Sequence, residues 1–167
     1  MFEKELEELN NKVCNLSGMN GEPVTDLSEY NSCLEEVDKI IEADSTNIEA
    51  YNLKSFILFC QEKFDEAALV CDEALRINPD NVQVLDFQAG CYFQAKKYAQ
   101  CIAVCQHILS IAPNFENALS QWDSAYICAD DSNLPKPPSN PVANVIQAVV
   151  YLFIAVVIGI FIYGIIR

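Results

Sequence analysis

The sequence has few positive charges. It contains 10 Lys and Arg against 24 Asp and Glu in 167 residues, a net charge of −14. Nucleic-acid surfaces need clustered Lys and Arg to neutralise phosphates, so this composition argues against a nucleic-acid-binding protein. A negative surface attracts cationic partners, although acidity that only keeps the protein soluble is the alternative interpretation.

The sequence also offers little to an active site or a metal ion. It has one histidine, His107, with no evident nucleophile beside it, and its eight cysteines form no CxxC motif. Cys101 and Cys105 lie four residues apart and could supply half of a metal site, but the remaining ligands of a closed zinc site are not evident. We therefore predict no enzymatic activity, no cofactor and no metal.

No secretory signal is evident in the first residues, MFEKELEELNNK, which are charged rather than apolar. Without export, the cysteines are expected to stay reduced. Reduced cysteines behave as small apolar side chains. We expect Cys33, Cys71, Cys101 and Cys105 to be structural thiols.

Charged residues are absent from residues 142–166, VANVIQAVVYLFIAVVIGIFIYGII. At about 1.5 Å per residue, a helix of this length exceeds the roughly 30 Å of a bilayer core. The run also has no polar stripe, which argues against a buried core helix. We predict a single transmembrane tail anchor, with the bulk of the protein facing the cytosol.

The segment before this run, residues 129–141, contains Pro135, Pro137, Pro138 and Pro141. Proline is excluded from helix interiors, so this segment is predicted to be a semi-rigid linker. A ligand for a proline-recognition domain is the alternative.

Two segments of the chain repeat each other. Pro79 and Pro113 are 34 residues apart, which is the period of a tetratricopeptide unit. The stretch YNLKSFILFCQEKFDEAALVCDEALRINPDN aligns with LDFQAGCYFQAKKYAQCIAVCQHILSIAPNF at this spacing. The matched pairs are Phe64 with Tyr98, Ala67 with Cys101, Cys71 with Cys105, Ala74 with Ile108, and Leu75 with Leu109.

The register extends on both sides of these two units. One period earlier, the same pattern falls on Tyr30, Cys33, Val37, Ile40 and Ile41. Upstream, Phe2, Leu6, Leu9, Val13 and Leu16 have helical spacing, which predicts a displaced first helix. A loop is predicted between them, at SGMNGEPVTD. After the last unit, ENALSQWDSAYICA is predicted to be a capping helix.

Residues 28–128 thus resemble the tetratricopeptide family. One departure is that Gly90 carries the small residue one step late, while Ser55 replaces it in the unit before. The fold predicted is an all-α, tetratricopeptide-like solenoid of helical hairpins followed by one transmembrane helix. Its parts are an N-terminal helix and loop (1–27), the repeats and cap (28–128), the linker (129–141) and the anchor (142–166).

The resemblance implies a concave face lined by the first helix of each unit. It places candidate peptide-binding residues there, with three phenylalanines for an apolar face and two acidic residues for a basic one. An ordinary inter-helix core is the alternative for the phenylalanines. The candidates are Glu49, Asn52, Phe56, Phe59, Asp86 and Phe93.

Relatives that hold the acidic C-termini of chaperones use a clamp of Lys, Arg and Asn. The equivalent positions here carry Asn52, Phe56, Gln83 and Phe87, so a carboxylate clamp is not expected. An apolar floor with acidic rims suits an amphipathic helix with one basic face, which is the chemistry of mitochondrial-type targeting presequences.

The whole layout resembles two families. One comprises import receptors of mitochondria and related organelles such as hydrogenosomes, and the other is the mitochondrial fission adaptor. We predict a cytosol-facing receptor or accessory subunit of an outer-membrane translocase, with targeting peptides or translocase subunits as its partners. The fission adaptor and an endoplasmic-reticulum-anchored co-chaperone docking protein are the alternatives.

Overall fold

The structure is a computed structural model that describes residues 2–17, 27–131 and 133–138. This part of the chain contains seven α-helices and no strand, which confirms the all-helical prediction. The helices are α1 (Glu3–Leu16), α2 (Leu27–Ala43), α3 (Ile48–Cys60), α4 (Phe64–Ile77), α5 (Val82–Gln94), α6 (Tyr98–Ile111) and α7 (Glu116–Ala129).

The chain divides into two compact units, Met1–Lys136 and Pro137–Arg167. All seven helices belong to the first unit. The predicted transmembrane helix at 142–166 lies outside the described residues, as does nearly all of the predicted loop at 17–26. Among the helices that the structure does describe, none is long and apolar enough to cross a membrane.

Each helix packs on its neighbour in the sequence, as in a stack of hairpins. Two further contacts extend the stack at its ends, because α1 packs on α3 as well as on α2, and α7 packs on α5 as well as on α6. The helix α1 therefore occupies the place of the first helix of the degenerate unit. The helix α7 covers the last hairpin, as predicted for a cap.

The turns inside the two full hairpins repeat in detail. Glu62 and Lys96, 34 residues apart, both adopt left-handed backbone, with φ of 60° and 58°. At the first turn, the N–H of Lys63 bonds the carbonyl of Leu58 at 2.9 Å and the N–H of Glu62 bonds that of Phe59 at 2.9 Å. This is the Schellman pattern of helix C-termini. The second turn repeats both bonds after Tyr92 and Phe93.

The starts of the first helices repeat as well. Asn47 caps α3 by accepting a hydrogen bond from the N–H of Ala50 at 3.0 Å. One period later, Asn81 caps α5 by accepting from the N–H of Val84 at 3.2 Å. An asparagine at this position satisfies helix donors that would otherwise lack a partner.

The predicted core register is confirmed by burial. Matched positions of the two full units are buried at Ala67 and Cys101, at Cys71 and Cys105, and at Ala74 and Ile108. In the degenerate unit, Tyr30, Cys33, Val37 and Ile40 are buried in the same way. The small residues let paired helices approach closely, since their side chains occupy little of the interface.

One expectation about small residues needs correction. The residue that matches Ser55 in the next unit is Ala89, and both side chains are buried. A Cβ atom added at Gly90 would meet nothing within 4 Å. The close-packed small position is therefore Ala89, in register, and Gly90 does not supply it.

Each of the eight cysteines is a free thiol. Five of them are buried, namely Cys33, Cys71, Cys91, Cys101 and Cys105, while Cys128 is exposed. Burial raises the pKa of the Cys33 thiol, an effect that Lys12 opposes. Within the described residues, no group of three or more His, Cys, Asp or Glu is arranged to hold a metal ion.

Candidate functional site

Three first helices enclose a pocket of about 430 Å³. The helix α3 forms its centre, α1 closes one side and α5 the other. Lining residues come from α1 (Leu6, Glu7, Asn10), from α3 (Glu49, Asn52, Leu53, Ser55, Phe56) and from α5 (Gln83, Phe87). We call this site the acidic pocket.

The floor of the acidic pocket is apolar and partly aromatic. The rings of Phe56 and Phe87 meet edge to face, with centroids 6.3 Å apart. Phe87 also packs at 5.5 Å on Phe59, whose ring lies 5.1 Å from that of Phe64. These contacts hold the floor in place, because each ring is supported by another from a neighbouring helix.

The polar residues of the acidic pocket carry one sign of charge. Glu7 and Glu49 supply two carboxylates, and both residues are exposed. Asn10, Asn52 and Gln83 supply side-chain amides. None of the described residues that line the pocket is Lys, Arg or His, so its field is negative and favours a cationic ligand.

Three of the six predicted binding residues meet at this pocket, namely Glu49, Asn52 and Phe56. The other three serve contacts between helices. Phe59 lies between Phe64 and Phe87, and Phe93 packs on Tyr98 with ring centroids 5.7 Å apart.

Asp86 is the third predicted residue outside the pocket, and it joins α5 to α7. Its carboxylate accepts hydrogen bonds from Asn117 Nδ2 at 2.8 and 2.7 Å and from Gln121 Nε2 at 2.9 Å. Burial raises the pKa of Asp86 above its ordinary value, and the hydrogen bond from Asn117 opposes this. The carboxylate predicted to orient a ligand is thus already engaged within the domain.

The residues from α1 were absent from the sequence-based site. Leu6 had been predicted to lie on the apolar face of the N-terminal helix, and Glu7 follows it directly. The predicted loop separates α1 from the repeat register, so the 34-residue spacing gave it no position on the concave face. Gln83 and Phe87 did carry a signal, because they occupy two of the clamp-equivalent positions.

A second pocket of about 430 Å³ lies between α1 and α2. Its lining combines acidic residues, including Glu5 and Glu8, with Lys12 and Lys39. Lys12 Nζ lies 3.7 Å from Glu36 Oε1. Because its charges are mixed and partly paired, this pocket offers weaker selection by ligand charge than the acidic pocket.

Helical hairpins repeated every 34 residues, with first helices that line a common pocket, define a tetratricopeptide-like repeat domain. Residues 22–120 match the family described as the tetratricopeptide repeat protein 21 C-terminal ARM domain. The match spans more than half of the chain, and the chain belongs to this family. The predicted relationship to tetratricopeptide repeats is confirmed at this level.

Solved structures with the same fold include three repeat domains. The first domain of Spaghetti (RPAP3), bound to the HSP90 peptide SRMEEVD, superposes with a TM-score of 0.61 at 17% identity, covering 76% of this chain and 92% of that one. MamA from Desulfovibrio magneticus gives 0.60 at 15%, covering 76% and 66%. The TPR2B domain of yeast Sti1, in a complex with pHsp70, gives 0.54 at 16%, covering 75% and 96%.

These identities establish a shared fold. No curated protein matches the chain by sequence.

Proposed function

We propose that this protein is a membrane-anchored receptor or adaptor whose acidic pocket binds basic amphipathic helices of partner proteins. The observation that carries the proposal is the pairing of Glu7 and Glu49 with an apolar floor, in a pocket whose described lining has no cation. An amphipathic helix with Lys or Arg on one face is complementary to that surface.

The two parts of the pocket have different roles in this proposal. Phe56 and Phe87 would bury the apolar face of the ligand, and burial of apolar area gives most of the affinity. Glu7 and Glu49 are exposed, so their attraction is screened by salt. They would mainly speed the encounter and select the sign of the ligand.

Recognition of a chaperone tail is the second candidate. It is favoured by the structural neighbours, since the domains of RPAP3 and Sti1 were solved with peptides of HSP90 and Hsp70. The HSP90 peptide ends in EEVD, so it is rich in carboxylates. The carboxylates of Glu7 and Glu49 would repel such a ligand, which is why we favour the basic helix.

The membrane part of the proposal rests on the uncharged run at 142–166. In this proposal the run anchors the protein in the outer membrane of a mitochondrial-type organelle, and the repeat domain faces the cytosol. A subunit or receptor of the protein translocase there would meet basic targeting helices as its ordinary ligands. A fission adaptor would share the layout but not this need for basic ligands.

The direct experiment is a pair of titrations of the full chain in detergent micelles. One peptide is an amphipathic helix of Leu and Arg residues, and the other is SRMEEVD. We expect the basic helix to bind with a Kd below about 1 mM and the acidic peptide to bind at least tenfold more weakly. Tighter binding of the acidic peptide would support the chaperone candidate and overturn ours.

The anchor has a separate test. Membranes of cells that make the full chain are extracted with alkaline carbonate, and a chain that ends at Asn140 is the control. The proposal requires the full chain to stay in the pellet and the shorter chain to be released. If the full chain appears in the supernatant, the anchor is excluded. Depletion that slows import without altering organelle shape would favour a translocase subunit over a fission adaptor.

A further inference from the structure

The chain turns back on itself after the last helix. Asp130 adopts left-handed backbone with φ of 48° at the C-terminus of α7. Asp131 Oδ1 then accepts hydrogen bonds from the N–H of Asn133 at 2.9 Å and from its Nδ2 at 3.0 Å. The carbonyl of Asp131 accepts from the N–H of Leu134 at 3.2 Å. This turn directs the following residues back to α7.

The returning segment is fastened by a tryptophan. The indole N–H of Trp122, from the middle of α7, donates a hydrogen bond to the carbonyl of Pro135 at 2.9 Å. Leu134 is half-buried against the core cluster to which Trp122 belongs. A buried indole N–H needs an acceptor, and Pro135 supplies it from a part of the chain beyond the repeats.

The chemistry of this contact is that of proline-segment recognition. Proline fixes its own φ and keeps its neighbours extended, so such a segment loses little entropy when it binds. Aromatic surfaces bind such segments through ring contacts, and they add hydrogen bonds to carbonyls that have no partner in an extended chain. Trp122 supplies the ring and the donor, and Leu134 supplies an apolar anchor beside the proline.

We propose that the Trp122 face of α7 is a docking site for an extended Leu-Pro segment, and that residues 133–136 of the same chain fill it. The tether makes this filling effective even for a weak contact, because a short linker gives a local concentration in the millimolar range. The site lies apart from the acidic pocket, and neither proposal depends on the other.

The sequence provides a selective probe. Trp122 is the only tryptophan, so the amide-correlation NMR spectrum of the full chain in micelles contains one indole N–H signal. The variant Leu134→Asp places a charge where the apolar anchor lies and should expel the segment. We expect this signal to shift and its exchange with D₂O to accelerate by at least about tenfold, since the N–H then faces water.

The docking site itself is tested by refilling it. Peptide DDSNLPKPP, the sequence of residues 130–138, is added at about 1–5 mM to the Leu134→Asp protein. We expect the indole signal to move back toward its wild-type position, and the same peptide with Asp in place of Leu should have no effect. Unchanged helicity by circular dichroism shows that the variant is folded.

Two results would overturn the proposal. One is an indole signal that does not respond to Leu134→Asp, because the segment would then contribute nothing to the environment of Trp122. The other is a signal that shifts in the variant but ignores the wild-type peptide, because the face would then not recognise the segment. Asp131→Ala, which removes the turn without touching the docked residues, is the second variant and should give a smaller shift of the same kind.

Discussion

Asn117 of α7 donates hydrogen bonds to both carboxylate oxygens of Asp86 on α5, at 2.8 and 2.7 Å. The two residues are 31 positions apart in the sequence. Their contact crosses from the last repeat to the cap, so Asp86 serves the attachment of α7. A carboxylate engaged in this way is less available to a ligand than the exposed carboxylates of Glu7 and Glu49.

We predict an energetic coupling between these two residues. In residues 1–140, a double-mutant cycle of Asp86→Ala and Asn117→Ala should give a coupling of about 1–2 kcal/mol in the free energy of unfolding, since a hydrogen bond to a charged group is worth about this much. Urea denaturation measures it. Glu116→Ala on the same helix is the control and should show no coupling to Asp86. Additive effects of Asp86 and Asn117 would contradict the structural role.

The thiols should differ sharply in their reactivity toward an aromatic disulfide reagent. Cys128 is exposed and should react first, while the five buried thiols should react only as the protein unfolds, because the thiolate must meet the reagent. Absorbance after mixing counts the thiols in each phase, and Cys128→Ser should abolish the fastest. Rapid reaction of Cys33 or Cys71 in the folded protein would show that the packing of the repeats is wrong.

Two left-handed residues offer gains in stability. Glycine adopts the left-handed conformation of Glu62 and Lys96 without the strain of a side chain. We expect Glu62→Gly and Lys96→Gly each to raise the free energy of unfolding by about 0.5–1 kcal/mol, as measured by urea denaturation. Alanine keeps the strain, so Glu62→Ala is the matched control and should give no gain. A loss in both glycine variants would argue against the left-handed turns.

Phe56 and Phe59 lie three residues apart on α3 but should behave differently. Phe59 packs between two rings at 5.1 and 5.5 Å, and Phe59→Ala should cost about 2–4 kcal/mol of stability. Phe56 lines the pocket and meets one ring at 6.3 Å, so Phe56→Ala should cost about half as much. Thermal and urea melts of the two variants compare them directly. Equal losses would mean that Phe56 is also core.

The sequence was sufficient to predict the repeat because its 34-residue period is carried by several kinds of residue at once. Pro79 and Pro113 mark the ends, while Cys71 and Cys105 mark the core, and each hairpin depends mainly on contacts with its neighbours. The departure at Gly90 was misread because glycine is small, although only burial distinguishes a packed position from an open one. Ala89 is the buried residue.

The candidate site was predictable only in part, for two physical reasons. The helix α3 carries apolar residues on all sides, including Leu53, Ile57 and Phe59, so periodicity cannot tell which phenylalanine faces a pocket. The contribution of α1 depends on tertiary packing across a segment that breaks the repeat. Likewise, the partner of Asp86 lies on a helix that has no counterpart in the two full units.

The measurement that tests the account most directly is the affinity of the full chain, in micelles, for the basic amphipathic peptide when the two pocket carboxylates are neutralised. The variant Glu7→Gln/Glu49→Gln is compared with Glu35→Gln/Glu42→Gln, which removes the same charge from exposed positions of α2. Both are titrated at about 10 and 150 mM salt, where the Debye length is about 30 and 8 Å.

We predict that the pocket variant weakens binding by about tenfold at low salt and by less than about threefold at 150 mM, because its two carboxylates lie beside the ligand and are screened by salt. The control variant should stay within about twofold of the wild type at both. Equal losses in the two variants would show a response to net charge alone. Binding that neither variant changes would contradict the assignment of the acidic pocket.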